Sequence, residues 1–248
     1  MKLSNKIALI TGGTSGLGLA AARLFVAEGA QVVIIGADQA RLDAASCELG
    51  SEVLAFNADL RTPSALDKVI NEIKQRFGRL DILFANAGVG LAAPLEAVTE
   101  QQIDEQFAVN FKGIFFTVQK AAPLLTKGAS VVLTTSFLNA VGTPALSILS
   151  ATKAAVRSLA RSLAAELAPR GIRVNAVSPG PISTPFHGKL GLSPDQLQEA
   201  HEATEAKVPL KRFADASEVA RAVLFVVSDD ASFMTGSEIV TDGGLSQL

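Results

Sequence analysis

The amino-acid sequence predicts a single doubly wound α/β domain, in which helices cover both faces of a parallel sheet of about seven strands. Three observations support this fold class. Short apolar runs alternate with longer segments of helical periodicity, the short runs have no polar face, and the length of 248 residues suits one such domain. Strands that are apolar on both faces and separated by helices favour right-handed crossover connections, which build this architecture.

The predicted elements alternate along the chain from the first strand to the last. The predicted strands are 7–11, 31–35, 53–57, 82–85, 130–134, 173–177 and 238–241. The predicted helices are 20–28, 39–49, 63–77, 99–125, 150–167 and 217–227. No repeat, low-complexity tract or interdomain linker interrupts this pattern, so the whole chain, 1–248, is assigned to one domain.

The least regular segment is 179–207, which glycine and proline residues interrupt repeatedly. It follows the sixth predicted strand, beyond the carboxyl ends of the strands, where open α/β sheets bind their ligands. We predict a substrate lid there, with an ordinary surface excursion as the alternative. His187 and His201 lie in this segment, where exposed positions are expected more often than catalytic ones.

Composition and charge exclude several kinds of partner. The net charge is −2, whereas nucleic acid or an anionic membrane would favour a basic excess. No apolar run reaches the roughly 18 residues that span a bilayer. The single cysteine, Cys47, excludes an intrachain disulfide, and the short polar start before the first strand argues against a signal peptide. We expect a cytoplasmic protein that acts on a small molecule and has no metal site, since no spacing of His, Cys and carboxylates suggests one.

A glycine-rich turn at residues 11–18 joins the first predicted strand to the first helix. Such a turn brings backbone N–H groups and the positive end of a helix dipole to a pyrophosphate, and side chains at Gly12, Gly16 and Gly18 would block the approach. The strand before it and the helix after it distinguish it from an ordinary loop. The predicted ligands of the pyrophosphate are Gly12, Thr14, Ser15, Gly16, Leu17 and Gly18.

Further short motifs follow in a defined order. They are Asn86-Ala87-Gly88, Asn110 in Val109-Asn110-Phe111, Ser136, Lys153, Pro179-Gly180 and Asp242-Gly243-Gly244. Together with the glycine turn, they resemble the short-chain dehydrogenase/reductase family over nearly the full length of the chain. Stretches 118–121 and 153–161 are most similar to bacterial NADP-dependent secondary-alcohol dehydrogenases. The resemblance implies a Rossmann fold, NAD(P) as the cofactor, and a homotetramer or homodimer to which the C-terminal strand contributes.

The resemblance also implies hydride transfer between nicotinamide C4 and a carbonyl carbon, with roles for Asn110, Ser136 and Lys153. In the family the serine binds the carbonyl oxygen, the asparagine holds a water that relays protons, and the lysine binds the nicotinamide ribose. The carboxylate of Asp59 is placed to accept a hydrogen bond from the adenine amino group. The remaining predicted cofactor contacts are Leu60, Asn86, Ala87, Gly88, Pro179, Gly180, Ile182 and Thr184.

Each of these polar residues also has a structural alternative. Asp59 could cap a helix, and Asn86 could be a turn residue. Asn110 could be a helix-kink residue that hydrogen-bonds the backbone, and Ser136 could be a turn serine at the end of a strand.

Leu149 occupies the position at which the family carries its catalytic tyrosine. It lies four residues before Lys153, so the two side chains share a helix face, and the chain contains no tyrosine at all. Because losing a positioned acid typically costs about 10²–10⁴-fold in rate, ordinary ketone reduction is expected to be slow or absent. The alternative proton donors are serine hydroxyls, a water held by Asn110, or Lys153 itself; the lysine or the water is favoured over the weakly acidic serines.

Three functions remain open on the sequence alone. The first is hydride transfer to a hydrophobic carbonyl or imine substrate, such as an iminium that already carries its proton. The second is a catalytically disabled cofactor-binding protein, and the third is a non-redox lyase or cyclase that uses the same pocket. The predicted pocket lining is Val89, Leu91, Phe137, Leu138, Leu146, Leu149 and Phe186.

The residues after the second strand give conflicting indications about the cofactor. Gly36 leaves space for a 2′-phosphate, but Ala37 stands where the NADP-dependent relatives usually carry arginine. Asp38 lies 20 residues past Gly18, the distance expected of a ribose-binding carboxylate, while Arg41 could face a phosphate. The missing arginine and the nearby carboxylate favour NAD slightly over NADP.

Overall fold

The computed structural model describes residues 1–186 and 190–248. Its strands form one parallel sheet in the order β3-β2-β1-β4-β5-β6-β7. The strands are β1 (Ile7–Thr11), β2 (Gln31–Gly36), β3 (Leu54–Asn57), β4 (Leu80–Ala85), β5 (Leu125–Thr134), β6 (Arg173–Pro179) and β7 (Glu238–Thr241). The order reverses between β1 and β4, which makes the carboxyl ends of these strands the expected ligand crevice. The predicted fold class is confirmed.

Helices cover both faces of this sheet. They are α1 (Gly16–Ala27), α2 (Gln39–Leu49), α3 (Ala65–Phe77), α4 (Glu100–Phe107), α5 (Ile114–Ala121), α6 (Ser147–Leu167), α7 (Pro194–Lys207) and α8 (Ala216–Val227). Alternate strand residues enter two separate cores: Leu9 packs in the core that contains α3, α5 and α6, and Ile10 packs in the core that contains α1, α2 and α8. This explains why the strand segments have no polar face.

The prediction of one continuous helix over 99–125 is wrong. The helix α4 ends at Phe107, a π-helical turn spans Ala108–Gly113, and α5 begins at Ile114. A short 3₁₀ turn, Ala122–Leu124, then leads directly into β5, which begins five residues earlier than predicted. The π turn contains the buried Asn110, whose amide finds its partners outside the helix. Single π-helical turns of this kind are frequent at functional sites, and hydrophobic periodicity does not reveal them.

The segment 179–207, predicted to be the least regular of the chain, contains the helix α7 in its second half. None of the side chains of α7 is buried, so the helix has no apolar stripe to detect. Ser193 and Gln196 form a capping box, and Pro194 occupies the first turn. These start signals were present in the sequence and could have identified the helix. Residues 187–189 of the predicted lid, including His187, lie outside the described residues.

Neither described range contains a helix that is both long enough and apolar enough to cross a bilayer.

Candidate functional site

A cavity of about 990 Å³ lies at the carboxyl ends of the strands. It extends from the glycine turn after β1, past the ends of β4 and β5, to the helix α7. Most of the predicted site residues line it together, although they are scattered over the chain. Those on its wall are Gly12, Thr14, Ser15, Gly16, Leu17, Asp59, Leu60, Asn86, Ala87, Gly88, Val89, Ser136, Phe137, Leu138, Leu146, Leu149, Lys153, Pro179, Gly180, Ile182, Thr184 and Phe186.

Four predicted residues do not line the cavity: Gly18, Asp38, Leu91 and Asn110. The backbone N–H of Leu91 donates to the side-chain oxygen of the buried Gln106, 3.3 Å away. Asn110 is fully buried behind the wall. These residues contribute to the shape of the site rather than to its surface.

The glycine turn opens the N-terminus of α1 to the cavity. Gly12 and Gly16 have φ values of +66° and +51°, a region that side chains disfavour. A Cβ on Gly18 would lie 2.1 Å from the carbonyl oxygen of Gly12, so close packing of α1 on the turn explains that glycine. The N-cap residue, Ser15, makes no side-chain hydrogen bond to the helix, and the first turn carries no acidic residue. Such an uncapped end, with backbone N–H groups facing a cavity, fits the pyrophosphate of a dinucleotide.

The end of the cavity near β2 contains two ion pairs. The Asp38 carboxylate accepts a hydrogen bond from the Arg41 backbone N–H at 2.9 Å and caps α2, and the Arg41 guanidinium lies 3.4 Å from it. The Asp59 carboxylate accepts hydrogen bonds from the backbone and the guanidinium of Arg61, which lower the pKa of Asp59. Both arginines line the cavity. The helix-cap alternative for Asp59 is wrong, because Ser64 occupies the N-cap of α3.

Gly36, which the sequence predicted to leave space for a phosphate, lines the cavity. A Cβ on Gly36 would lie 2.4 Å from the Thr14 methyl carbon, so the position has no room for a side chain. Gly36 is needed for the packing of β2 against the turn.

Asn86 links the ends of three strands. Its side-chain nitrogen donates to the Thr11 carbonyl oxygen at 3.2 Å, and its side-chain oxygen accepts a hydrogen bond from the Thr134 hydroxyl at 3.2 Å. The Thr11 hydroxyl in turn accepts hydrogen bonds from the backbone N–H groups of Asn86 and Ala87. This network holds β1, β4 and β5 in register below the cavity.

Asn110 connects the loop after β4 to α6. Its side-chain oxygen accepts from the Val89 N–H at 2.8 Å, and its side-chain nitrogen donates to the Val89 carbonyl at 2.9 Å and to the Thr152 hydroxyl at 3.1 Å. The Thr152 hydroxyl donates to the Leu149 carbonyl at 2.8 Å. Both donors of the amide are therefore used within the protein. These contacts match the alternative in which Asn110 hydrogen-bonds the backbone.

Lys153 presents a buried amine on the cavity wall. Its Nζ donates to the Thr134 carbonyl oxygen at 2.9 Å, and within the described residues no carboxylate forms an ion pair with it. Burial lowers the pKa of this amine from 10.5 to about 8. A Cβ on Gly88 would lie 3.5 Å from Nζ, so the glycine gives the amine its room. The amine is thus poised to change its charge near neutral pH.

Leu149 is buried, with 3% of its surface exposed, and it lines the cavity one helical turn before Lys153. A Cβ on Gly90 would meet Phe186, Leu190 and Leu149 at 2.8, 3.1 and 3.2 Å. These three side chains therefore surround the loop after β4 with apolar surface. None of these three side chains carries a phenol or a carboxylate that could exchange a proton.

Ser136 follows β5 and caps the short 3₁₀ turn Phe137–Asn139. Its oxygen accepts a hydrogen bond from the Leu138 N–H at 3.3 Å. This contact fits the strand-end turn alternative, and because it uses the oxygen as an acceptor, the hydroxyl can still donate into the cavity that Ser136 lines.

The cavity wall also includes residues of α7, which lies within the predicted lid 179–207, and of the segment before α8, which the sequence did not indicate. His201 is half-buried on α7 rather than exposed, and its ring stacks on Phe213 with the ring centres 3.9 Å apart. Both rings line the cavity, as does Leu197. Leu197 and His201 belong to the predicted lid, whereas no sequence signal placed Phe213 near the site. In the part of the chain that the structure describes, no group of three or more His, Cys, Asp and Glu residues could hold a metal ion.

The fold and the cavity together define a dinucleotide-binding enzyme. A family model described as enoyl-(acyl carrier protein) reductase matches residues 12–246. The chain is 42% identical over 249 residues to the oxidoreductase asL5 of Sarocladium schorii, a match that covers 100% of this chain and 98% of the relative. It is 36% identical to the 3-oxoacyl-(acyl-carrier-protein) reductase FabG of Thermotoga maritima, with 99% of each chain covered.

A solved structure gives the same result. The 3-ketoacyl-(acyl-carrier-protein) reductase of Brucella melitensis, complexed with NADH, superposes with a TM-score of 0.90 at 31% identity, covering 98% of this chain and 99% of that one. The chain belongs to the short-chain dehydrogenase/reductase family of NAD(P)-dependent oxidoreductases.

Proposed function

We propose that this protein transfers hydride between a nicotinamide cofactor and a hydrophobic carbonyl or imine substrate, with imines preferred. The observation that carries this proposal is the cavity itself: an uncapped helix N-terminus lies at one end and a buried amine beside apolar side chains lies at the other. Secondary alcohols and their ketones are the corresponding oxygen substrates, in keeping with the resemblance to secondary-alcohol dehydrogenases.

The cofactor supplies or accepts the hydride when it is bound. The glycine turn and the N-terminus of α1 would hold its pyrophosphate, and Asp59, Leu60 and residues 86–88 would hold the adenosine and ribose groups. Lys153, with residues 179, 180, 182 and 184, would hold the nicotinamide half. Apart from Thr11, Gly13 and Gly18 of the glycine turn, every one of these residues lines the cavity.

The absence of a phenol at position 149 affects the proton-transfer step. Leu149 has no acidic hydrogen, so a ketone must take its proton from Lys153, from the Ser136 hydroxyl or from water. Lys153 is the best matched of these, because a pKa of about 8 lies close to physiological pH. An iminium substrate already carries its proton, and this is why we expect imines to react faster than ketones.

We propose NAD as the preferred cofactor. Arg41 and Arg61 face the cavity, but each is already paired with a carboxylate, Asp38 and Asp59 respectively. A 2′-phosphate would therefore meet two neutralised pairs rather than two free cations. Dissociation constants for NADH and NADPH test this preference, and tighter binding of NADPH would contradict it.

We also propose that 179–207 acts as a substrate lid and that the protein forms a homotetramer or homodimer in the cytoplasm. Phe186 and several side chains of α7 line the cavity from this segment. Phe225, Phe233 and Val240 expose apolar surface on or near the edge strand β7, which supports assembly through that edge. Sedimentation analysis of the wild type and of Phe233→Ser tests the assembly.

The decisive experiment follows NADH and NADPH oxidation at 340 nm with matched pairs of cyclic imines and ketones of equal size. We expect imine turnover to exceed ketone turnover by roughly 10²-fold or more, the usual value of a positioned acid. Cofactor binding without oxidation of any substrate would instead indicate a disabled cofactor-binding protein. Substrate conversion without a change in nicotinamide absorbance would indicate a lyase or cyclase.

A further inference from the structure

Lys153 differs from every other lysine that the structure describes, because it alone is buried. Lys2 and Lys120 are paired with Asp230 and Asp67, Lys6 is half-buried, and the remaining described lysines are exposed to solvent. An ammonium group in such a position is largely removed from solvent and has no carboxylate partner among the described residues, so burial raises the fraction of neutral amine near neutral pH. A neutral amine is a nucleophile, whereas an ammonium ion is not.

The surroundings of Nζ suit this chemistry. Its hydrogen bond to the Thr134 carbonyl uses one N–H, which a neutral amine retains, and leaves the nitrogen lone pair uncommitted. Leu138 and Leu149 line the same cavity and offer apolar contacts to an incoming molecule. Ser136 lines it as well, and its hydroxyl is able to donate a hydrogen bond to a carbonyl oxygen.

We propose that Lys153 is a covalent carbonyl-binding site: in the cofactor-free protein its amine forms a reversible imine with small apolar aldehydes and ketones. This activity is separate from hydride transfer and does not require a nicotinamide. It would make the cavity a site for amine catalysis, the chemistry of enzymes that activate carbonyl compounds through a lysine.

The atoms and electrons balance without any redox partner. The nitrogen lone pair attacks the carbonyl carbon, the C–N bond forms, and the carbonyl π electrons move to oxygen, which takes a proton from the nitrogen and can accept a hydrogen bond from the Ser136 hydroxyl that lines the same cavity. The resulting carbinolamine then loses water. The oxygen comes from the carbonyl compound and both hydrogens come from the amine, which leaves a C=N bond to Nζ.

The test is reductive trapping of the wild-type protein with benzaldehyde and sodium cyanoborohydride near pH 7.5, followed by peptide mapping. The reductant converts the imine into a stable benzylamine on the lysine that formed it. We expect Lys153 to be labelled at least roughly tenfold faster than the exposed Lys112, because a larger fraction of its amine is neutral. Lys153→Arg should abolish that label, while the matched control Lys112→Arg should leave it unchanged.

The variant Leu149→Ala removes apolar bulk beside the amine. If Lys112 is labelled and Lys153 is not, both in the wild type and in Leu149→Ala, the proposal is overturned. Label at Lys153 that appears only in Leu149→Ala still supports an imine-forming amine, with Leu149 restricting access. A parallel sample contains saturating NADH. Protection by NADH supports both the imine site and the proposed ribose contact, whereas undiminished labelling supports the imine and contradicts that contact.

Discussion

The two ends of the cavity handle charge in opposite ways. Near β2, Asp38 pairs with Arg41 and Asp59 pairs with Arg61, and all four side chains remain substantially exposed. At the other end, Lys153 is buried and has no carboxylate partner in the described ranges. Exposed pairs contribute little free energy, since water screens them. Protonating a buried amine that has no counter-ion costs free energy, so burial lowers its pKa. Groups with a pKa shifted in this way cluster at functional sites.

Replacing the apolar group beside the amine should have the largest effect. Leu149→Tyr introduces a phenol on the helix face of Lys153, and we expect kcat/KM for a hydrophobic ketone to rise by about 10²–10⁴-fold. The measurement is NADH oxidation with a ketone panel. The matched control is Leu149→Phe, which has the ring without the hydroxyl. Equal rates for the two variants would show that the proton does not limit the reaction.

Removing the buried amine should change the pH dependence of stability. The pKa of Lys153 is 10.5 in the unfolded chain and about 8 in the folded protein, so between these values the unfolded state binds more protons. The free energy of unfolding of the wild type should therefore rise with pH from about 8 to 10.5. Below pH 8 the buried charge costs about 3 kcal/mol, which Lys153→Met should recover.

Urea denaturation at pH 7 and at pH 10 measures this effect. Lys153→Met should be the more stable protein at pH 7 and should lose the rise in stability toward pH 10. The exposed Lys112→Met is the control and should keep the wild-type profile. A parallel pH dependence in wild type and Lys153→Met would contradict the lowered pKa.

A paired cation one turn further along α6 sharpens the contrast. Arg157 Nε lies 3.1 Å from Glu238, whose other carboxylate oxygen accepts hydrogen bonds from Thr135 and Asn139. Both charged side chains are about 85% buried, with 15% and 16% of their surface exposed. Glu238→Gln should cost about 2 kcal/mol, since it leaves Arg157 without its counter-ion. The exposed Glu166→Gln on the same helix is the control, and an equal loss there would contradict this account.

The smallest effect is expected at the exposed end. Asp38→Ala removes the carboxylate that neutralises Arg41. The affinity for NADPH relative to NADH should therefore improve by about fivefold, which corresponds to a binding free energy of about 1 kcal/mol. Calorimetric titration of both cofactors measures the ratio. Asp43→Ala, on the same helix, controls for general loss of negative charge. A shift toward NADH would refute a role for the Asp38–Arg41 pair in cofactor choice.

The sequence predicted the strands, most helices and the glycine turn, because each follows from local periodicity or from a backbone position that only glycine satisfies. It did not predict α7, none of whose side chains is buried, although the capping box formed by Ser193 and Gln196 was present in the sequence. It also missed the break at Asn110. That break contains Asn110, whose hydrogen-bond partners, Val89 and Thr152, are distant in the sequence.

The sequence by itself determined the fold class, because the spacing of the apolar residues predicts it. The sequence also determined that the residue four positions before Lys153 is a leucine and that the chain has no tyrosine. Only the tertiary structure decided which charges are paired. Asp38 turned out to cap α2 and Thr14 turned out to fill the space beside Gly36, while Lys153 is buried without a carboxylate. Pairing and burial depend on which elements meet in space, and they set the desolvation and Coulomb energies from which the chemistry of this site follows.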